Sequence, residues 1–437
     1  MKTKILIVFA MTATILSGCN SKPKKDNANT VAKVELKTIE GKSRLYVNGE
    51  EFFVKGGGCE FGNIEALAKH GANAMRTWRV ENGQRSGKEV LDEAQKNGVM
   101  VMMGIEVARE RHGFDYNDSA MVAKQLETIK SDVVALKDHP ALLGWGIGNE
   151  LNLRATNLKV WDAVQGIAKM IHETDPNHVT TTMLAGIGKT DVDYIAANCP
   201  DIDFLCVQMY GDIVNLPQRL ADAGYTGPYI VSEWGATGHW EVPVTSWNAP
   251  IEQTSTEKAE AIADRYQKAI LADTNNCMGS FVFLWGQKQE RTPTWYGLFT
   301  EKDEETEAID QMHNFWKGSW PENRCPSIIS ADLDGKTRFD NITLKPGKEY
   351  ISALKVMDPD NDSIYIRTEV LRESTDLKDG GDFETRPESL DKLVSASSID
   401  KVVFNAPETE GAYRLFVYVL DGKNHAATIN FPFFVKK

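Results

Sequence analysis

Apolar positions along the chain fall into two regimes of different period. Between residues 52 and 316, short apolar runs alternate with amphipathic stretches. The runs at 52–55, 74–78, 99–107, 142–150, 179–183, 204–209, 229–232 and 278–284 have strand length and little polar face, the pattern of strands buried on both sides. Between and after them, 64–70, 88–97, 121–137, 160–174, 192–197, 216–223, 256–272 and 305–316 read as helices. In 121–137, for example, Val122, Leu126, Ile129, Val133 and Leu136 recur at helical spacing. Gly71, Gly98 and Asp175-Pro176 mark helix ends.

This eightfold strand–helix repeat over about 260 residues predicts an α/β fold of the (β/α)8 TIM-barrel type. A doubly wound open sheet is the competing reading, but Gly56-Gly57-Gly58 after the first strand lacks the G-x-G-x-x-G spacing of a phosphate loop. Ahead of the barrel, 34–36 and 44–47 form a hairpin through Glu40-Gly41-Lys42. After Trp320-Pro321 and Cys325-Pro326 the helical period stops, and short alternating segments follow at 351–356, 364–371, 401–404, 413–420 and 427–435. Turn clusters such as Asp421-Gly422-Lys423-Asn424 separate them, which predicts a C-terminal immunoglobulin-like β-sandwich. The expected domains are a catalytic barrel with its hairpin over 33–320 and the sandwich over 327–437.

Composition narrows the function. At 437 residues, with 42% hydrophobic and 25% charged, the chain is globular, and a formal charge of −13 without basic runs disfavours nucleic acid. The first residues are a processing signal: Lys2 and Lys4 precede an apolar run over 5–16. Leu16-Ser17-Gly18-Cys19 resembles a bacterial lipobox, which implies removal of residues 1–18 and lipidation of Cys19. Residues 19–32 then read as a flexible tether, and the protein as an exported lipoprotein of the cell envelope. Five further cysteines, an odd number without C-x-x-C spacing, indicate neither a zinc site nor a full disulfide framework, although one or two bridges are open. Asp358-Pro359-Asp360-Asn361-Asp362 approximates calcium-loop spacing, but Ser363 stands where that loop needs glycine, so a turn is expected and no metal.

Candidate chemistry lies where barrel strands end. Leu142-Leu143-Gly144-Trp145-Gly146-Ile147-Gly148 is an apolar strand with a glycine at every second position, room for something bulky to pack close, and it ends abruptly in Asn149-Glu150. The seventh strand ends in Ser232-Glu233-Trp234. Two carboxylates across one barrel mouth are what glycoside hydrolysis needs: one protonated to assist the leaving oxygen, one ionised to face the anomeric carbon. Arg76 is placed to favour an ionised Glu233, Tyr210 to donate to the same carboxylate, and Asn149 to hold a sugar 2-hydroxyl. Trp285 is expected as an apolar floor for a sugar ring, with Trp78 also at the mouth. Glu106, after the third strand, is either a third mouth carboxylate or the ion-pair partner of Arg109 or Arg111. Trp240, with His239 and Trp247 in the long segment 235–255, either walls a subsite or packs that loop down.

Gly146-Ile147-Gly148-Asn149-Glu150 together with Ser232-Glu233-Trp234-Gly235 resembles glycoside hydrolase clan A, the retaining (β/α)8 β-glycosidases. The resemblance covers 44–317 and implies Glu150 as acid/base, Glu233 as nucleophile, and Arg76, Asn149, Tyr210 and Trp285 as supporting residues. Segments 47–56 and 73–76 are similar to the barrel opening of families 2 and 5. The barrel opens near residue 53, where complete family 2 enzymes carry further β-domains ahead of it, and Glu106 stands where many relatives carry histidine. A barrel followed by one immunoglobulin-like domain looks like the family 158 endo-β-1,3-glucanases. The implied activity is double-displacement hydrolysis of a β-linked oligo- or polysaccharide, β-1,3-glucan favoured, without a cofactor. The alternatives are a transglycosylase using the same residues and a catalytically inactive glycan-binding lipoprotein.

Overall fold

A computed structural model describes residues 30–390 and 392–437. The expected signal peptide, Cys19 and most of the tether lie outside the described residues. Ala32, at the expected tether's end, is buried against the barrel.

The chain enters through an antiparallel sheet of β1 (Val34–Ile39), β2 (Lys42–Val47) and β3 (Glu50–Phe52). Eight parallel strands then close into the expected barrel: β4 (Val54–Gly58), β5 (Ala74–Arg76), β6 (Met100–Ile105), β7 (Leu142–Asn149), β8 (Val179–Ala185), β9 (Phe204–Gln208), β10 (Tyr229–Gly235) and β11 (Cys277–Phe283). Eight helices follow the strands: α1 (Ile64–Lys69), α2 (Gly87–Lys96), α3 (Ser119–Leu136), α4 (Lys159–Thr174), α5 (Lys189–Asn198), α6 (Leu216–Ala223), α7 (Ser255–Arg265) and α8 (Glu307–Lys317). Capping boxes start two of them, Ser86 with Glu89 on α2 and Thr254 with Glu257 on α7.

Strand β7 shows why its sequence is what it is. Trp145 and Ile147 join the layer between strands and helices, and Leu143 joins the barrel interior. The alternating glycines make room for the next strand: a methyl on Gly144 would lie 2.8 Å from Val179 Cγ2, and one on Gly146 would strike Met183. At the N-terminal end of the barrel, Ala32, Val34 and Leu45 form one cluster with Val54, Ala74, Met102 and Leu143. The three-stranded sheet is therefore a plug under the barrel, tied to it by Val34 N–H donating to the Asn177 carbonyl at 2.8 Å.

Beyond β11, β12 (Glu305–Thr306) leads into α8 and the sandwich. Its strands are β13 (Ser327–Leu333), β14 (Ile342–Leu344), β15 (Glu349–Met357), β16 (Tyr365–Arg372), β17 (Val394–Ser398), β18 (Lys401–Asn405), β19 (Gly411–Leu420) and β20 (His425–Val435). One sheet runs β13-β15-β18-β17; the other runs β12-β20-β19-β16, with β14 also on β20. Tyr413, Leu415, Val417, Phe431 and Phe433 fill the space between them.

The domain boundary drawn from the sequence is not a structural seam. Glu305, on the barrel side, pairs with His425 in the sandwich sheet. Buried Glu252 accepts from Lys258 Nζ at 2.5 Å, from Thr292 at 2.5 Å and from Asn430 of β20 at 2.6 Å. Arg414 reaches from β19 to the Pro250 carbonyl. All five described cysteines are buried free thiols, so neither bridge left open by the sequence forms among them. The acidic stretch after β15 forms the expected turn: Asp358 Oδ1 accepts the N–H groups of Asp360 and Asp362, both at 2.9 Å.

Candidate active site

Strand β7 delivers Glu150 through a tight turn. Gly148 has φ +73°, and Glu150 itself sits at φ +52°, a left-handed conformation that costs a glutamate energy and is held by its N–H donating to the Met183 carbonyl at 2.9 Å. Burial pushes its carboxyl up to about 8, and the charge of Glu233 adds to the effect over the opposing pull of Arg109, Arg111 and Arg76. At neutral pH this side chain carries a proton.

Glu233, from β10, is held on both oxygens. Tyr210 donates to Oε1 at 2.6 Å, Trp78 Nε1 donates to Oε2 at 3.2 Å, and Arg76 Nη1 lies 3.5 Å from Oε2. Two donors and a neighbouring cation suit an ionised carboxylate. Burial drives the Tyr210 phenol well above its ordinary range and the Glu233 charge drives it further, so Tyr210 stays a donor.

Arg76 is fully buried at the end of β5 and organises the floor of the site. It donates to the Ser232 carbonyl at 3.0 Å and to Asn149 Oδ1 at 2.6 Å. Gln208, at the end of β9, completes this network. Its amide lies 2.8 Å from Asn149 Oδ1, 2.9 Å from Glu150 Oε1 and 2.7 Å from Arg76 Nη1. Oriented so that its oxygen accepts from Arg76 Nη1, the amide donates to Glu150 Oε1.

Two expected residues are elsewhere. Trp285 is wholly buried outside the mouth, against Phe299 at 5.4 Å and Trp316 at 6.1 Å between ring centroids, with its N–H on the Asn63 carbonyl. Strand β11 ends at Phe283, so it is Phe283 that faces the site, and Trp285 belongs to the packing behind it. Glu106 lies one residue past the end of β6, exposed in a separate hollow with Arg109, His112 and Phe114. Neither expected partner pairs with it: Arg109 donates to the Asn149 carbonyl and Arg111 binds Asp382.

Glu150, Glu233, Gln208, Tyr210 and Phe283 share a cavity of about 430 Å3. Trp240 stands on its rim, 60% exposed and edge-on to Tyr210 at 5.5 Å. His239 beside it is pushed down to about 4, mainly by burial, and is neutral at pH 7. Trp247, in the same loop, packs instead on Phe434 of the sandwich. Glu241 pins the loops after β9 and β10 by accepting from the N–H groups of Gly211 at 2.7 Å, Asp212 at 2.8 Å and Gly238 at 2.8 Å. The remaining wall comes from the sandwich, through Asp379, Gly380 and Gly381. Sequence reasoning missed that wall.

The family model for glycosyl hydrolases family 2, TIM barrel domain, matches residues 62–292. No curated protein sequence matches the chain. Among solved structures it is similar to Bacteroides uniformis beta-glucuronidase 2, covalently bound to cyclophellitol-6-carboxylate aziridine, with 14% identity and a TM-score of 0.52 over 92% of this chain and 48% of that one. It is also similar to the beta-D-glucuronidase of Dictyoglomus thermophilum, with 17% identity and a TM-score of 0.50 over 65% of this chain and 54% of that one. A beta-galacturonidase from Eisenbergiella tayi gives 15% identity and a TM-score of 0.50 over 67% and 55%. The chain thus spans about half the length of these structures, and at such identities the likeness is one of fold.

Proposed function

Since the chain belongs to glycosyl hydrolases family 2 through its TIM barrel domain, we propose that it is a retaining β-glycosidase in which Glu233 is the nucleophile and Glu150 the acid/base. The observation that carries this reading is the contrast between two carboxylates of one cavity. Glu150 is raised to about 8 and so arrives protonated, while Glu233 is clasped by Tyr210, Trp78 and Arg76.

In the first step a Glu233 oxygen attacks the anomeric carbon, the glycosidic bond breaks, and Glu150 gives its proton to the leaving oxygen. In the second, the now ionised Glu150 takes a proton from water, whose oxygen displaces Glu233 and releases the sugar with its original anomeric configuration. Arg76 holds Asn149 by its oxygen, leaving the amide nitrogen to meet a sugar hydroxyl.

The substrate we propose is a neutral β-glycan, β-1,3-glucan favoured from the resemblance of the barrel-plus-sandwich order to family 158. The lining supports neutrality: Asp212, Glu233, Glu290 and Asp379 are already paired with Arg219, Arg76, Lys288 and Arg154, so the one charged cation of the described lining, Arg154, is not free for a sugar carboxylate. A sugar acid would have to compete with Asp379 for Arg154, which favours a neutral sugar over the glucuronides and galacturonides named for the similar structures. On the Leu16–Cys19 motif, we further place the protein at the envelope, held by lipid on Cys19. Loss of the protein from the membrane fraction on Cys19→Ser tests this.

The deciding experiment is a product profile of wild type and Glu233→Ala on neutral β-glucans and on β-glucuronides, with the anomer released followed by NMR. Retained configuration from a neutral glycan, abolished in the variant, is the expected result. Cleavage unchanged in Glu233→Ala overturns the assignment, and binding without cleavage by wild type points to a glycan-binding protein instead.

A further inference from the structure

We propose that the sandwich is part of the substrate site: its segment 376–386, between β16 and β17, walls the subsite for the sugar that leaves, the one on the acid/base side of the scissile bond. This rests on the glycosidase reading above.

The segment crosses from the sandwich to the barrel mouth and is fastened there at successive points. Glu384, 1% exposed, accepts from the Arg291 N–H and guanidinium, both at 2.6 Å, and from the Lys378 N–H at 3.0 Å. Asp382 binds Arg111 at 2.8 Å and His112 at 2.9 Å. Asp379 binds Arg154 at 2.7 Å, and Lys288 donates to the Gly381 carbonyl at 2.8 Å. All five barrel partners lie in the segments that follow β6, β7 and β11 at the mouth, Arg111 and His112 in a single 3-10 turn, so the strap is docked by charge onto the catalytic end.

The tip is built for close approach. Gly380 and Gly381 have φ +59° and +71°, and a methyl on Gly380 would lie 2.7 Å from Leu153 Cδ2 and 2.8 Å from Arg111 Nη2. A larger residue there is strained by the left-handed backbone and forces the ends of Leu153 and Arg111, and with them the strap's contacts, to shift. Leu153 and Arg154, which it touches, belong to the same turn as Glu150. The strap therefore stands beside the acid, and the sugar that takes the acid's proton is the one it meets. Asp379 offers an acceptor and Arg154 offers donors, a pair complementary to adjacent hydroxyls of a neutral sugar.

The test compares two substrates with the same glycosyl unit: a β-linked oligosaccharide, whose leaving group is a sugar, and the corresponding glycosyl fluoride, whose leaving group occupies no sugar subsite. Asp379→Ala and Gly380→Ala are each expected to lower the oligosaccharide-to-fluoride ratio of kcat/KM by about 10- to 100-fold, the size of one lost charge-assisted hydrogen bond. Thermal unfolding of each variant checks that it is folded, and Asp379→Asn, which keeps one acceptor oxygen, is expected to recover part of the ratio. An active wild type whose variants lose equally on both substrates, or lose nothing, overturns the subsite alone. A wild type inert on every glycoside overturns the glycosidase reading and the subsite with it.

Discussion

The two ends of the barrel are made of opposite materials. At the N-terminal end, Ala32, Val34 and Leu45 of the plug meet Val54, Ala74, Met102 and Leu143, a cluster whose side chains meet by packing alone. At the C-terminal end, buried Arg76, Asn149, Gln208 and Glu233 with their neighbours are fixed by donors and acceptors at 2.6–3.5 Å. The same strands run from one end to the other. The aliphatic end supplies folding energy, and the polar end holds charges that folding alone would avoid. Damage at the first end should cost stability with little change in chemistry, and damage at the second the reverse.

The sharpest break is Glu233→Ala, which should lower kcat by roughly 10^4-fold or more without loss of fold, measured by kinetics and circular dichroism. Glu150→Gln comes next, about 10^2- to 10^4-fold on substrates with a poor leaving group and much less on glycosyl fluorides. Because Glu150 titrates at about 8, wild-type kcat/KM should fall above that pH, and the alkaline limb should disappear in the variant.

At the opposite end, Leu45→Ala should reduce unfolding free energy by about 2–5 kcal/mol, since the side chain is wholly buried, with kcat/KM nearly unchanged. Tyr210→Phe leaves Glu233 short of one donor and should cost about 10- to 100-fold in kcat/KM, with little change in melting temperature.

The smallest effect is on stability against pH. A carboxyl raised from 4.5 to about 8 by folding binds its proton more tightly in the native state. Its stabilisation is complete below the ordinary value and is lost as pH rises toward 8. Glu307 at about 7 and Asp310 at about 6 act in the same direction from α8, so Glu150→Gln should flatten the decline in melting temperature between about pH 5 and 8 without removing it.

The polar end was legible in the sequence as far as strand ends could be counted. Asn149-Glu150 and Glu233 close strands with no polar face, and nothing but a mouth explains carboxylates there. Arg76 and Tyr210 followed by the same rule, and both meet Glu233, their expected partner. The rule failed where a strand stopped early. Strand β11 ends at Phe283, which puts Trp285 in the outer packing, and β6 ends at Ile105, which turns Glu106 out to solvent. The hydrophobic pattern reports that a strand exists better than it reports its last residue, and the facing of a side chain hangs on that residue. The sandwich wall was illegible for another reason. Arg111 and Asp382 meet only because two separately readable domains dock, and no local period encodes the docking.

The pairing of β12 with β20 bears on how the protein can be made and cut. Glu305 and Thr306 precede α8, yet their strand partner, His425–Ala426, arrives only after the whole sandwich sequence has been synthesised. During translation the barrel can close its eight strands, and Glu305 and Thr306 can pair with Phe299 and Leu298, while the side that faces β20 stays open. Cloning the barrel as a separate cassette would leave the same edge open for good, so the sandwich is a part to be inherited with the barrel rather than exchanged.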